Sequence, residues 1–558
     1  MTAHWTMVSM VSMLCLCALG IVVAAQSGPP ATRAEQSGFE DSTRFEEVRA
    51  FIQALAARTP RIRVETFGTS EEGRALPLVV VGDPPAASPA QARESGRPVV
   101  FVMANIHAGE VEGKEAVLHL ARRMTIGDLQ SLLPSAVWLF APIYNADGNE
   151  KISPNNRSEQ NGPIAGVGTR ENAKGLDLNR DFMKLESAEA RALAALLTRW
   201  DPDVIVDLHT TNGSYHGYHL TYSPTLNPNA DARIVAFARE RLLPAVRGAM
   251  EARHRFRTYY YGNFATAESL SDELDRFPAG ERRTHVWRTF DPRPRFGNNY
   301  LGLRNRIAIL SEAYSYLDFA GRVKATEAFV EEIMRFVAAN SAEIRSLVSR
   351  VDADWIRGTS VADAGVEFEL RALPQPVDIL VGEVATRVNP RSGKPMTTMV
   401  ESVATPTRMA DYGVFAATRS RRVPREYIMR PSSTGLHDAV ARKLKEHGIR
   451  VEMLDAQARV SVEEFAIEQV NRAERAFQGH RETSVTGTFE VRTLEIPSGS
   501  IVVRTDQPLG RLVFYLLEPE SDDSLATWNL LDAALEPGGA HPVLKVMPGQ
   551  RLETRPSP

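Results

Sequence analysis

Three apolar runs in this chain each lead into a side chain that can bind a metal or carry a proton, and no other feature limits its possible folds as much. Val99-Val-Phe-Val-Met-Ala-Asn-Ile106 is followed by His107, Asp203-Val-Ile-Val-Asp-Leu208 by His209, and Arg306-Ile-Ala-Ile-Leu-Ser311 by Glu312. Runs rich in Val, Ile and Leu, with helical patterns between them, read as buried strands of a largely parallel sheet. Ligands of such sheets bind beyond the carboxyl ends of the strands. One sheet edge would therefore gather His107, His209 and Glu312.

Glu110 follows His107 by three residues, where the strand pattern gives way to the helical stretch Val111–Met124. Hydrolytic zinc sites take three nitrogen or oxygen ligands and keep a fourth position for water. His107, Glu110 and His209 supply that set for one Zn²⁺ per chain, which would lower the pKa of its water to about 7 and polarise a carbonyl. Glu312, left unliganded, could take the water's proton and pass it to a leaving amine. Taken singly, each residue has a plainer reading. His107 and Glu110 could cap a helix, His209 could be a core histidine, and Glu312 could pair with Arg304 or Arg306. The cation that an oxyanion requires is offered by the stretch Thr169-Arg-Glu-Asn-Ala-Lys-Gly-Leu-Asp-Leu-Asn-Arg-Asp-Phe182.

With these residues together, the chain resembles the zinc carboxypeptidase family. The landmarks, in the family's order, are Gly68-Thr-Ser-Glu-Glu-Gly-Arg74, His107 with Glu110, Asn145-Ala-Asp-Gly148, Asp177-Leu-Asn-Arg180, His209 and Glu312, across residues 39 to 340. The resemblance implies zinc ligands at His107, Glu110 and His209 and a general base at Glu312. It also implies that Asn179 and Arg180 clamp the terminal carboxylate of a peptide substrate, a task suited to a planar guanidinium. Arg170, nine positions before Asn179, matches the family's oxyanion-stabilising arginine, with Arg157 as a rival. Tyr300 is the candidate for the family's substrate-closing tyrosine, with Tyr259 to Tyr261 as alternatives. Two departures stand out: the usual Asn-Pro-Asp-Gly turn has Ala146 in place of proline, and the stretch between His209 and Glu312 is long and rich in Tyr, Asn, Arg and Pro. A further pair, His216 and His219, carries no metal-binding pattern. His119, beside Arg122 and Arg123, is expected on a solvated helix face.

The implied activity is hydrolysis of the C-terminal peptide bond of peptides with a free carboxylate. The alternative is a zinc amidohydrolase or peptidase acting on cell-wall peptides or small acylated amino acids. A binding protein without turnover is disfavoured by the retained Glu312. A formal net charge of −4 gives no reason to expect nucleic acid or an anionic membrane as partner. Oligomeric state is open.

Residues 1–25 read as a signal peptide, with an apolar Val8–Ala24 stretch and small-residue cleavage after Ala25. Both cysteines, Cys15 and Cys17, fall inside it, so the processed protein would hold neither disulfide nor thiolate ligand. That combination suits an exported protein, periplasmic or extracellular, with no membrane association after signal removal. Residues 26–38 are expected as a flexible lead and 39–348 as the catalytic domain. The fold class is α/β: a mixed, largely parallel central sheet with helices on both faces. Glu327–Val348 is expected as a closing helix. From about residue 350 to 558 the texture changes to a smaller mixed α/β or β-rich module. Strands are expected at Val366–Leu373, Val377–Val384, Ser484–Val491, Ser500–Val503 and Arg511–Leu517, and a helix at Leu436–His447.

Overall fold

The computed structural model describes residues 28–211, 213–265, 286–358, 363–550 and 552–557. The expected signal peptide lies outside them. Among the described residues no helix is long and apolar enough to cross a membrane.

The centre is an eight-stranded mixed sheet. Its strands in chain order are β1 (Ile62–Thr69), β2 (Ala75–Val81), β3 (Val99–Ala104), β4 (Val137–Ala141), β5 (Val204–Thr211), β6 (Leu220–Pro224) and β7 (Thr258–Tyr260), followed after two strands of another sheet, β8 (Asn263–Ala265) and β9 (Val286–Arg288), by β10 (Ile307–Tyr314). The spatial order is β1-β2-β4-β3-β5-β10-β6-β7. The central pairs β4/β3, β3/β5 and β5/β10 are parallel, and the flanking pairs β1/β2, β2/β4 and β10/β6 are antiparallel. Every residue of β3, β4 and β5 is buried, as helices on both faces require.

The helices follow their capping signals. Ala188–Trp200 starts where the Ser187 side chain accepts from the Ala190 N–H and ends at Asp201 in the left-handed region. The expected Glu327–Val348 helix is longer, Phe319–Arg357. Asp318 caps its start, Gly358 at φ +68° ends it, and non-helical backbone at Asn340 kinks it. It packs on the helices Glu112–Ile126 and Leu243–His254.

The segment expected as a flexible lead is partly structured. Arg33–Gln36 forms one helical turn closed by a capping box at Thr32 and Glu35, and Ala34 is fully buried. Glu35 also receives both terminal nitrogens of Arg122 (2.8 and 2.6 Å) and lies 3.5 Å from His119. His119 is therefore not on a solvated face: it is buried between Glu35 and Glu327.

The C-terminal half is β-rich. A seven-stranded sheet carries the long hairpin Ala458–Arg472/Thr483–Ile496 at one edge, and Asp363–Arg371 pairs with Val414–Arg422. A four-stranded sheet joins Val377–Val388 and Pro395–Tyr412 to β9 and β8. Ala410, Asp411 and Tyr412 thus run parallel to Val286, Trp287 and Arg288, so the expected boundary near residue 350 does not separate two sheets. The core crosses it too: one apolar cluster runs from Phe101 and Val102 through Phe329 to Tyr427, Leu444 and Leu512. The helix Leu436–Glu446 is as expected, but Arg511–Leu517 belongs to a helix, Gly510–Leu517, rather than a strand. All of its residues are buried, and an apolar run of that length has no periodicity to separate the two forms.

Candidate active site

Strand register brings the chemistry together. Glu312 of β10 lies directly opposite His209 of β5 in a parallel pair, and side chains alternate along a strand, so Asp207 and His209 share one face. His107 does not end a strand. β3 stops at Ala104, Asn105 takes a left-handed φ of +65°, and His107 sits in the loop beyond. The Ala108 N–H is held by the Thr169 carbonyl (3.1 Å), and the Glu110 N–H turns back to the His107 carbonyl (2.9 Å). A Cβ at residue 109 would meet Arg157 Cδ at 2.6 Å, so any side chain there would displace that arginine.

His107, Glu110 and His209 are each about 3% exposed, and one ligand atom from each lies within 4.8 Å of the others. His107 Nδ1 is 3.1 Å from Glu110 Oε1, and His209 Nδ1 is 3.0 Å from Glu110 Oε2. The opposite nitrogens are fixed by further carboxylates: His107 Nε2–H donates to Asp177 Oδ1 (3.1 Å) and His209 Nε2–H to Asp207 Oδ2 (2.9 Å). A carboxylate behind each imidazole selects the tautomer that frees Nδ1 for a metal. Two Nδ1 atoms converging on one carboxylate form a borderline donor set that fits Zn²⁺. Electrostatics agree. Burial would lower the His209 pKa, but Asp207 and Glu110 hold it well above the usual imidazole value. Burial would raise Glu110, yet His107 and Arg157 hold it well below the carboxylate range. The site is thus primed for positive charge.

Glu312 behaves differently. Burial, aided by Glu110 and opposed by His209, pushes its carboxyl up to about 8. A dication between the three ligands would pull it back toward the ionised form.

The three ligands open into a cavity of about 400 Å³ that is also lined by Arg170, Asp177, Asn179, Arg180 and Glu312. Arg170 Nε donates to Asp177 Oδ2 (2.8 Å), and its Nη1 lies 3.8 Å from Glu110 Oε1. Arg157 does not line the cavity; its nitrogens bond Glu110 Oε1 (2.9 Å), Gln160 Oε1 (2.8 Å) and the Thr210 carbonyl (3.1 Å). Arg180 stacks on Phe296 at 3.8 Å, and Asn179 Oδ1 accepts from the Gly297 N–H (2.8 Å). The remaining landmarks brace this edge. Asp147 accepts from Ser70 Oγ, the Glu72 N–H and Arg74 Nη1, and Asn145 Nδ2 donates to the Arg170 carbonyl.

The structure corrects one expectation here. Tyr300 is 1% exposed and outside the cavity; its hydroxyl bonds His447 Nδ1 (2.9 Å) and its ring packs on Phe182. The tyrosine on the cavity wall is Tyr261, one of the alternatives. His216 and His219 stay out of the cavity, the first with its ring tilted against Tyr314 at 4.1 Å and the second facing Glu401.

Sequence reasoning missed Phe290, Asn298 and Phe477 on the cavity wall. The first two lie in the long stretch flagged as pocket-shaping, though nothing singled them out. Phe477 comes from the C-terminal module, almost 300 residues beyond Arg180, and no local signal marks it.

The site is that of a metal-dependent hydrolase. The model of the family described as zinc carboxypeptidase matches residues 48–291. Over that stretch the chain is similar to the zinc carboxypeptidases, a family that acts on peptides bearing a C-terminal carboxylate. Among curated relatives, Carboxypeptidase 2 of Trichophyton rubrum is 22% identical over 534 residues, covering 92% of this chain and 88% of the relative. Carboxypeptidase D of Mus musculus is 29% identical over 170 residues, 29% of this chain and 12% of that one. Of solved structures, a metallo-carboxypeptidase from Burkholderia cenocepacia is 16% identical with a TM-score of 0.39, covering 53% of this chain and 70% of that one.

Proposed function

We infer that this enzyme is an exported carboxypeptidase that binds one zinc ion through His107, Glu110 and His209 and removes the last residue of peptides with Glu312 as its base. One observation carries the reading: two imidazoles, each backed by its own carboxylate, converge on Glu110 beside a cavity that holds both a free-standing acid and two arginines.

Bound zinc supplies Lewis acidity, lowering the pKa of water and polarising the scissile carbonyl. The other roles belong to the chain. Glu312 takes a proton from the attacking water and delivers it to the nitrogen of the breaking C–N bond, so that carboxylic acid and amine leave in balance. Arg170, oriented through Nε by Asp177, donates to the oxygen on which negative charge develops. Arg180 and Asn179 hold the terminal carboxylate. Phe296 supports the guanidinium, and the bond to Gly297 fixes the amide so that its Nδ2 can donate. Tyr261, on the cavity wall, takes the substrate-closing role.

Chelation should abolish release of the C-terminal residue from a blocked dipeptide, and stoichiometric zinc should restore it. A chelated, metal-free protein that retained turnover would end this reading. For export, the processed protein should begin at Gln26; an unprocessed N-terminus in the exported fraction would refute the cleavage site.

A further inference from the structure

The hairpin loop Ala473–Glu482, which joins the two long strands of the C-terminal sheet, reaches the catalytic cavity and is fastened there. Phe477 and His480 exchange backbone hydrogen bonds, N–H to carbonyl at 2.7 and 3.0 Å. The two residues between them, Gln478 and Gly479, have φ of +50° and +84°. This is a two-residue turn that needs left-handed backbone at both central positions, where Asn and Gly are the residues of choice. Gly479 suits it. Gln478 does not, because a non-glycine residue there costs on the order of 1 kcal/mol.

Strain of this kind persists where the side chain has work elsewhere. Gln478 Oε1 accepts from the Asp177 backbone N–H at 3.0 Å. Asp177 is the carboxylate that takes His107 Nε2–H through one oxygen and Arg170 Nε–H through the other. A residue from the C-terminal module thus sets the backbone of the group that orients a metal ligand and the oxyanion arginine. The neighbouring Phe477 ring lies on the cavity wall itself. Behind it stand the buried Arg295 guanidinium at 5.5 Å and Trp528 at 6.4 Å, and Arg295 is held by Glu482 and Asp523. His480 ties the loop to Glu186 of the catalytic half at 2.8 Å. Both sides of the loop are anchored, so Phe477 is a fixed wall rather than a mobile flap.

We propose that the Ala473–Glu482 loop completes the active site, with Phe477 as a specificity-determining residue against which the substrate packs and Gln478 as a positioning residue acting through Asp177. The proposal rests on the carboxypeptidase reading of the cavity. It gives the C-terminal module a direct part in substrate selection. With about 400 Å³ between Phe477 and the metal ligands, the site has room for the last one or two residues of a peptide.

The test uses the full zinc-loaded chain and two substitutions, with melting temperature and zinc content checked for each. Phe477→Ala should raise KM for a blocked dipeptide about tenfold with little change in kcat, the scale of a lost aromatic contact. It should weaken calorimetric binding of free phenylalanine by a similar factor. Gln478→Gly relieves the backbone, so the melting temperature should not fall, while kcat should drop about fivefold through the lost hydrogen bond. A merely structural loop would show neither split. If the wild-type chain turns nothing over but Phe477→Ala still weakens phenylalanine binding, the carboxypeptidase reading falls and the loop's contact with the cavity stands. If both variants keep wild-type KM, kcat and phenylalanine affinity, the proposal is overturned.

Discussion

Replacing Arg170 with alanine tests how the site handles developing charge. Arg170 Nε is committed to Asp177, which points the rest of the guanidinium toward the cavity, with Nη1 3.8 Å from Glu110. The charge it would meet exists only as the carbonyl is attacked, so its loss should appear in kcat and leave KM within about threefold. One preorganised donor to an oxyanion is worth roughly 10² to 10³ in rate, and kcat should fall by that factor. Lysine should recover less than about tenfold, because a single ammonium cannot both bond Asp177 and face the cavity. Arg157 gives the contrast. Its nitrogens are spent on Glu110, Gln160 and the Thr210 carbonyl, so Arg157→Ala should weaken zinc binding yet leave kcat at saturating zinc within about threefold. The assay is steady-state hydrolysis of a blocked dipeptide across a zinc titration. If Arg170→Ala kept its kcat while Arg157→Ala lost a hundredfold at saturating zinc, the roles would be reversed and this reasoning wrong.

Two further outcomes follow from the geometry. Glu312→Gln should lower kcat by roughly 10² to 10⁴ while zinc still binds, since the carboxylate stands outside the three-ligand set; full turnover would remove its role as base. His119 should impose a pH dependence on stability. Burial lowers its pKa, but Glu327 and Glu35 raise it to about 9, above the ordinary 6.5. A raised folded-state pKa means that this stabilisation is complete below the ordinary value and is lost as pH climbs through about 9. The gap in urea midpoint between wild type and His119→Gln should therefore shrink from near-neutral to alkaline pH, and a constant gap would contradict it.

What could be read from the chain depended on whether the deciding contacts were local. The apolar runs before His209 and Glu312 announce buried strands that bring both residues to one sheet edge, while the register that sets them on one rung is visible only in the structure. His107 and Glu110 were readable because the turn holding them is short. Tyr300 is not separable from its neighbours in the sequence, because the spacing around Gly297 and Gly302 does not say which helix face meets the cavity, and the partner that draws it inward, His447, lies far along the chain. The helix Gly510–Leu517 was hidden by uniform burial. Long strands such as Pro395–Tyr412 escaped notice because partly exposed hairpins carry little apolar alternation. Phe477 shows the limit most clearly. A wall built by tertiary contact has no signature in its neighbours.

The apolar cluster shared by the two halves bears on when the molecule becomes competent. Synthesis proceeds from the amino end, so His107, Glu110 and His209 leave the ribosome well before the turn carrying Phe477. A nascent chain halted after the kinked helix would own every liganding atom but would present bare hydrocarbon where Tyr427, Leu444 and Leu512 belong. Order of emergence then separates possession of the ligands from a finished cleft, and any shortened version of this protein inherits that exposed flank.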